Sequence, residues 1–370
     1  MHRLAAVGML FFAGAILISN PALRRWRAAE LLLALSAGSA SAHQDQAAPR
    51  IVEENLVISG RSGPIRARIY RAADSVRAHG LVLSHGVHYR GIDERRLVPF
   101  ARELAAAGLV VLTPELDDLI DYRITRRGLD VITDSALWLG KRTDRVASPQ
   151  VGLLGFSFAG GLSLVAAAQP ELQGRLAYVT SVGGHHDLAR VLSFLLTDEI
   201  DAPDGRHHSP AHEYGLVVLL YQNLDEFVPE ADRDLMRASV RAWLQEDFER
   251  SAALASLRTT PDSEKLFSLM QSRQLKVLAP KLRQLALAHT AELALLSPRG
   301  KLSRIAVPVY LLHGSSDSVI PPSETQWASR ELGSHDHTAL VSPLLEHVEV
   351  NQAASVLQQV ALVDFMAKML

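Results

Sequence analysis

The chain has 370 residues, with 38 Lys plus Arg against 40 Asp plus Glu and no cysteine. Its length allows one large domain with an insertion, and its 48% hydrophobic and 21% charged residues are typical of a folded globular protein. The balanced charge gives no field that would recruit nucleic acid, and the lack of cysteine excludes disulfides, thiolate metal sites and a cysteine nucleophile.

The first 42 residues combine two apolar stretches with basic residues between them. Residues 4–19 form an uncharged apolar run slightly shorter than a bilayer span. Three arginines between residues 24 and 27 precede a second apolar stretch, residues 31–35, and small residues ending at Ala42, which is the order of a secretory signal and its cleavage site. Because basic residues favour the cytoplasmic side, we predict that residues 1–42 are a signal or membrane anchor and that the rest of the chain lies outside. A cytoplasmic domain on a single anchor is the alternative.

A polar linker, residues 43–50, leads into a predicted α/β domain. Two β-branched stretches, residues 51–58 and 64–70, with glycines between them, predict a hairpin. Short apolar strands then alternate with helices, which predicts a mostly parallel sheet covered by helices on both faces. The predicted strands are residues 80–84, 109–113, 151–155 and 177–182, and the predicted helices are residues 95–107, 132–141 and 158–168.

The alternation stops near residue 188 and resumes with predicted strands at residues 307–312 and 338–341 and a last helix from residue 351. The intervening segments have the apolar spacing of helices. We therefore predict that residues 51–188 and 301–370 form the α/β core and that residues 189–300 form a helical cap inserted into it.

The strongest local motif is Gly155-Phe156-Ser157-Phe158-Ala159-Gly160, between a predicted strand and a predicted helix. A sharp chain reversal at Ser157 requires small neighbours, and Gly155, Ala159 and Gly160 meet that requirement. The same string is often only a tight strand-to-helix turn. Its context here favours a nucleophilic serine.

A serine hydroxyl needs a base to take its proton and a carboxylate to orient that base. Asp317 follows the predicted strand that ends at residue 312, and His347 follows the last predicted strand. Considered alone, Asp317 could cap a turn and His347 could lie on a solvated loop. The order serine, acid, histidine, each after a strand, favours a triad of Ser157, Asp317 and His347.

With these motifs, the chain from about residue 51 to its end resembles the α/β-hydrolase superfamily with a lid insertion. The resemblance implies an α/β-hydrolase fold, in which a mostly parallel central sheet has helices on both faces and a helical cap. It also implies that Ser84-His85-Gly86-Val87 is the first oxyanion segment, with the backbone N–H groups of Val87 and Phe158 as donors. For the side chain of His85, we favour a structural hydrogen bond.

Further histidines flank this predicted site. His88 and Tyr89 follow the oxyanion segment, and His185 and His186 follow the strand ending at residue 182, so we predict that these four side chains contact substrate. His207 and His208 are interpreted as part of a solvated cap loop. Adjacent histidines point in different directions and no H-E-x-x-H spacing occurs, so we predict no metal site and no cofactor.

The resemblance implies hydrolysis of an ester or a related acyl bond through an acyl-enzyme at Ser157. Apolar runs in the predicted cap, at residues 216–220 and 285–296, favour an apolar acyl pocket, so we predict a carboxylesterase for small or medium acyl chains. The expected partner is a small-molecule acyl substrate, without nucleic acid. Two alternatives stay open: acyl transfer by the same triad, and a membrane-associated, non-catalytic binding protein on a hydrolase scaffold.

Overall fold

The computed structural model describes residues 21–36, 49–346, 349–350 and 356–370. Most of the predicted signal or anchor and most of the linker therefore lie outside the described residues, as does the predicted base His347. Among the helices of the described ranges, none combines the length and the apolarity needed to cross a bilayer.

Eight strands of the described chain form one sheet in the order β1-β2-β4-β3-β5-β6-β9-β10. β1 and β4 pair antiparallel with β2, and the pairings from β4 through β3, β5, β6 and β9 to β10 are parallel. The predicted hairpin and the mostly parallel sheet are thus confirmed. The strands are β1 (Ile51–Gly60), β2 (Gly63–Ala72), β3 (His79–Ser84), β4 (Leu109–Pro114), β5 (Val151–Phe156), β6 (Leu176–Val182), β9 (Val309–Gly314) and β10 (His337–Ser342).

Helices cover both faces of this sheet, as the alternation predicts. One face packs against α4, α5 and α13 through an apolar cluster that includes Ile132, Leu162 and Ala328. The other face packs against α1, α2 and α14 through a second cluster. The helices of the core are α1 (Pro21–Ser36), α2 (Leu97–Ala106), α3 (Asp117–Ile120), α4 (Arg126–Gly140), α5 (Phe158–Ala167), α13 (Ser323–Leu332) and α14 (Val356–Met366).

Helix α1 packs on the core although its sequence lies within the predicted signal or anchor. Ala28 is buried in the second cluster, Arg27 Nη1 donates to the carbonyl of Ala107 at 3.3 Å, and Arg25 forms a 2.7 Å ion pair with Asp364 on α14. Residues 21–36 therefore form part of the folded domain in this structure.

The cap lies between β6 and β9 and has an apolar cluster of its own, the cap cluster, which includes Phe194, Val217, Met236, Val240 and Phe267. It consists mainly of helices, as the spacing predicts. Its elements are α6 (Leu188–Thr197), β7 (Glu199–Ala202), β8 (Gly205–His208), α7 (Glu213–Gln222), α8 (Arg233–Leu244), α9 (Phe248–Ala255), α10 (Pro261–Gln271), α11 (Ala279–Ala288) and α12 (Thr290–Leu296).

The cap also contains a β-hairpin that the sequence pattern did not indicate. His207 and His208 lie on β8, where they are exposed and reach Asp204 at 2.8 Å and Glu199 at 3.2 Å. The prediction that these histidines lie on a loop is therefore wrong. The expectation that they are exposed to solvent agrees with the structure. Each strand has only four residues, and β8 (Gly-Arg-His-His) contains no apolar residue, so the period-two signal was too short to indicate a hairpin.

A carboxylate on α13 fixes the segment that leads into the cap. Glu324 is fully buried and accepts hydrogen bonds from the backbone N–H groups of His186 and Asp187, at 2.8 and 2.7 Å. Its other oxygen accepts from Nε of Arg190 on α6 at 2.6 Å. Buried carboxylates require such partners, and here the partners lie on the segment that connects β6 to the cap and on the first helix of the cap.

Candidate active site

The strand register brings the loops that carry the predicted site residues to one edge of the sheet. Ser84 at the end of β3 pairs with Gly155 near the end of β5, and Val182 at the end of β6 pairs with Phe156 and Leu312. The carboxyl ends of these parallel strands are therefore level. The segments that follow them meet at this edge, where ligands bind in open α/β sheets.

Ser157 occupies a strained turn between β5 and α5. Its backbone has φ 53° and ψ −130°, which a residue with a side chain adopts only when its surroundings impose it. Its N–H donates to the carbonyl of Val182 at 2.8 Å, and its carbonyl accepts from the N–H of Gly160 at 2.8 Å. The side chain is placed at the end of the sheet and the residue is only 5% exposed.

The small residues around the serine are required by close backbone approach. A β-carbon on Gly155 would collide with the carbonyl of Ala159, and one on Gly160 would lie 2.6 Å from Ser181 Oγ. A β-carbon on Gly86 would lie 3.1 Å from the β-carbon of Ser157. The predicted oxyanion segment therefore lies directly against the predicted nucleophile.

Asp317 is buried on the loop that follows β9. Its Oδ1 accepts hydrogen bonds from the backbone N–H groups of Val319 and Ile320, both at 2.9 Å. These two bonds hold the carboxylate in one orientation, which is what an orienting acid requires. The end of β6 links this loop to the turn at Ser157. The carbonyl of Val182 accepts from the N–H of Ser157, and the N–H of the next residue, Gly183, donates to the carbonyl of Leu312 at 2.8 Å, just before the loop begins.

His347 lies outside the described residues, so its contacts with Ser157 and Asp317 stay a prediction. The strand before it is described: β10 ends at Ser342, which pairs with Gly314 at the end of β9. The carbonyl of Ser342 accepts from the N–H of Ser315 at 3.0 Å. The chain thus leaves the sheet beside the loop that carries Asp317.

His313 is a second histidine near Asp317, and its ring is engaged on both sides. Nε2–H donates to the carbonyl of Ile320 at 2.8 Å, and Nδ1 accepts from the hydroxyl of Thr325 at 2.8 Å. Nε2 also lies 3.3 Å from Asp317 Oδ2. The residue is fully buried, so it braces the loop of Asp317 and has no free nitrogen for a reacting proton.

His85 has the structural hydrogen bonds favoured from the sequence. Its Nε2 accepts from the N–H of Leu116 at 3.0 Å, so Nδ1 carries the proton and donates to the carbonyl of Gly86 at 2.7 Å. Burial lowers the pKa of His85 to about 4, so the ring is neutral. It ties the oxyanion segment to the chain that follows β4.

Val87 and Phe158, the predicted oxyanion donors, lie where the core meets the cap. Phe158 is the first residue of α5, and the first N–H groups of a helix have no intrahelical acceptor. The side chains of both residues pack against the core cluster beneath them and the cap cluster above them. Tyr89 and Val319 pack against the same cap cluster, which also contains Ile320. Each of the three loops at the site therefore contributes apolar groups to the underside of the cap.

The rings of His88 and Tyr89 stack on each other next to the cap cluster. Their ring centroids are 4.7 Å apart, and the N–H of Arg90 donates to His88 Nδ1 at 3.1 Å. Arg90 Nε donates to the hydroxyl of Tyr89 at 3.0 Å. Burial lowers the pKa of His88. Their predicted contact with substrate stays a prediction.

His185 and His186 are both buried, and each ring is hydrogen-bonded. His185 is buried against Gly161 of α5, and its Nε2–H donates to the carbonyl of Leu296 at 3.0 Å, at the end of the last cap helix. His186 donates from Nε2 to Glu331 on α13 at 2.7 Å and accepts from Arg190 at Nδ1. In this structure both rings take part in attaching the cap to the core, and their predicted contact with substrate stays a prediction.

The fold is similar to that of solved α/β hydrolases. The rice cell wall degrading esterase LipA from Xanthomonas oryzae, in a ligand-bound form, superimposes with a TM-score of 0.52 at 16% identity, covering 91% of this chain and 94% of that chain. An esterase from Pyrobaculum calidifontis gives a TM-score of 0.48 at 18% identity, covering 94% of this chain and 91% of that chain. No protein-family model and no curated protein sequence matches the chain. The chain has the α/β-hydrolase fold, as the sequence motifs imply.

Proposed function

We propose that the protein is a serine hydrolase that cleaves an ester or a related acyl bond through an acyl-enzyme at Ser157. The observation that carries this proposal is the conformation of Ser157, held at φ 53° at the carboxyl edge of the sheet with Gly86 against it. Strained backbone of this kind concentrates at functional sites because the surrounding structure must maintain it. In the α/β-hydrolase superfamily the nucleophile lies on a sharp turn between a strand and a helix, which supports Ser157 as the nucleophile.

In the proposed reaction, His347 takes the proton of the Ser157 hydroxyl as the oxygen attacks the carbonyl carbon of the substrate. Asp317, oriented by two backbone N–H groups, holds the imidazole and stabilises its charged form. The backbone N–H groups of Val87 and Phe158 bind the negative oxygen of the tetrahedral intermediate. The intermediate collapses when His347 returns the proton to the leaving alcohol. Water, deprotonated by the same histidine, then attacks the acyl-enzyme and releases the acid and the serine.

The apolar roof over the serine favours an acyl group without charge. Val87, Phe158 and Val319 lie between the catalytic edge and the cap cluster, so a bound acyl chain contacts mainly apolar side chains. The description of LipA as an esterase agrees with an ester substrate. We therefore propose a carboxylesterase that acts on small or medium acyl chains.

Acyl transfer to an alcohol is the second candidate. Ser157 is only 5% exposed beneath the cap, and a site that excludes water prolongs the life of an acyl-enzyme. Adding an alcohol acceptor during turnover separates the two reactions. Release of free acid at an unchanged rate supports hydrolysis, and conversion of most of the acyl group to a new ester supports transfer.

A fluorophosphonate probe tests the nucleophile directly. We expect covalent labelling of the wild-type chain, no labelling of Ser157→Ala, and strongly reduced labelling of His347→Ala. A panel of p-nitrophenyl esters of increasing acyl length, run on the same variants, tests the substrate class. If the wild-type chain resists the probe as completely as Ser157→Ala and hydrolyses none of the esters, the non-catalytic binding protein becomes the better interpretation.

A further inference from the structure

Tyr122 combines a strained backbone with a buried hydroxyl that nothing in the described part of the chain satisfies. It follows α3, the short helix beyond the carboxyl end of β4, and its φ is 58°. The residue is 0% exposed, and its hydroxyl has no hydrogen-bond partner among the described residues. A buried hydroxyl without a partner is destabilising, so native structures seldom keep one without a reason.

The cap holds Tyr122 in this conformation. Its carbonyl accepts from Nε2 of Gln222 on α7 at 2.7 Å, and its N–H donates to the carbonyl of Leu119 at 3.2 Å. Its ring packs edge-on against Tyr214 and Tyr221 of the same cap helix, with centroids 6.4 and 5.8 Å apart. The conformation is therefore imposed from the core and from the cap together.

Two other tyrosines of this region have hydroxyl groups with hydrogen-bond partners. Tyr221 donates its hydroxyl to Asp121 Oδ1 at 3.0 Å, and the hydroxyl of Tyr89 accepts from Arg90. The hydroxyl of Tyr122 has no such contact among the described residues. Burial raises the pKa of Tyr122, so its hydroxyl stays protonated and available as a donor.

Tyr122 also shares its surroundings with the proposed active site. It belongs to the cap cluster, against which Val87, Phe158 and Val319 pack from the oxyanion segment, the nucleophile turn and the acid loop. For a chain attached to Ser157 to reach this hydroxyl, it must extend under the cap along Val87 and Phe158. The walls of the region under the cap are apolar, so a single donor there discriminates strongly between ligands.

We propose that the Tyr122 hydroxyl is a specificity-determining donor that binds an acceptor oxygen on the acyl chain of the substrate. The inference rests on the proposed function and narrows it: the preferred acyl chain is uncharged and apolar but carries a keto or ether oxygen along its length. A plain alkyl chain leaves the hydroxyl buried and unpaired, whereas a chain with an acceptor satisfies it.

Matched esters test this proposal on the wild-type chain. The probes are p-nitrophenyl hexanoate, its analogues with an ether oxygen in place of the fourth or fifth acyl carbon, and p-nitrophenyl 5-oxohexanoate. We expect kcat/KM for at least one oxygen-bearing ester to exceed that for hexanoate by about tenfold, the effect of one neutral hydrogen bond. Equal kcat/KM values across the set overturn the proposal, whatever the variants do.

Tyr122→Phe removes the donor and keeps the ring. We expect the preference for the oxygen-bearing ester to disappear, with its kcat/KM reduced about tenfold and that of hexanoate unchanged or increased. Tyr221→Phe is the matched control, because its hydroxyl already has Asp121 as partner, and it should keep the preference. A Tyr122→Phe variant that retains the preference, or that loses activity on all esters by the same factor, shows that the hydroxyl is structural.

The same experiments distinguish failure of the role of Tyr122 from failure of the proposed function. Labelling of Ser157 and hydrolysis of hexanoate without any preference for an oxygen-bearing chain leave the serine hydrolase in place and remove the role of Tyr122. Absence of both labelling and hydrolysis in the wild-type chain removes both.

Discussion

Gly86 and Ser157 are in direct contact across the catalytic edge, so closely that a β-carbon on the glycine would lie 3.1 Å from the β-carbon of the serine. Gly86→Ala should therefore displace the serine or the oxyanion segment by a few tenths of an ångström. Because small displacements of reacting groups are costly, we expect kcat to fall by about 10- to 100-fold with little loss of stability. Steady-state kinetics on a p-nitrophenyl ester and thermal unfolding measure the two effects.

Gly128→Ala is the control for this substitution. It adds the same methyl group within α4, where the nearest atom is a flexible side-chain carbon of Leu162 at 3.3 Å. The variant should keep the wild-type kcat. Equal kcat in Gly86→Ala and the wild-type chain would show that the contact has no bearing on the reaction.

Glu324 on α13 holds the start of the cap and pairs with Arg190 inside the protein. Glu324→Gln leaves the Arg190 guanidinium without a counter-charge in a buried position, so we expect a loss of roughly 3 kcal/mol in the free energy of unfolding. Urea denaturation measures it. Because the cap closes the site, the variant should also hydrolyse esters more slowly at temperatures where the core is still folded.

Glu171→Gln tests whether the loss of stability expected in Glu324→Gln arises from the burial of the ion pair between Glu324 and Arg190. Glu171 pairs with Arg61 at 2.5 Å, but the two side chains are 49% and 37% exposed. Pairs of this kind contribute about 0–1 kcal/mol. A loss in Glu171→Gln as large as that in Glu324→Gln would contradict the assignment of Glu324 as an anchor of the cap.

The sequence predicted those features that depend on neighbours along the chain. The apolar strands, the amphipathic helices and the small residues around Ser157 are local patterns, and the structure confirms the sheet and the turn at the serine. The loop of Asp317 was likewise placed by the strand before it. The order of these elements was sufficient to indicate the α/β-hydrolase fold.

The features that the sequence missed depend on contacts between distant segments. Glu324 is a buried acid on a helix, and nothing in its own segment shows that residues 186–190 supply its partners. His185 and His186 follow a strand at the catalytic edge, but their direction is set by Leu296 and Glu331, more than a hundred residues away in the chain. Tyr122 becomes notable only through its backbone angle and its missing partner.

The buried histidines should make the protein less stable in mild acid. Burial lowers the pKa values of His85 and His185 to about 4, from an ordinary value of 6.5. Between these pH values the unfolded chain binds protons that the native state does not, so the free energy of unfolding falls as the pH falls from 6.5 towards 4. The expected loss is on the order of 3 kcal/mol per ring. Urea denaturation at a series of pH values measures it.

His85→Gln should flatten this pH dependence, because glutamine does not titrate and its amide can donate and accept as the imidazole does. His207→Gln, on the exposed hairpin of the cap, should leave the slope unchanged. If His85→Gln has the same slope as the wild-type chain, another group is responsible for the loss of stability in acid.

Helix α1 packs on the core, so the stability of the domain should depend on whether the N-terminal segment is retained or removed. A chain that lacks residues 1–20 keeps the buried Ala28 and the Arg25 to Asp364 ion pair, whereas one that lacks residues 1–42 exposes the apolar surface of α2 and α14. We expect the shorter chain to lose about 3 kcal/mol of stability, and Tm to fall by several degrees.

Two substitutions in the full chain separate this effect from that of truncation itself. Ala28→Gln places a polar side chain in the buried contact and should lower Tm, whereas Trp26→Gln, at a position that is 59% exposed, should not. A destabilised short chain argues against cleavage after Ala42 and favours a retained segment whose helix is part of the domain. If the short chain and Ala28→Gln both unfold at the wild-type temperature, α1 is dispensable, and a signal that is removed after Ala42 is the better interpretation of residues 1–42.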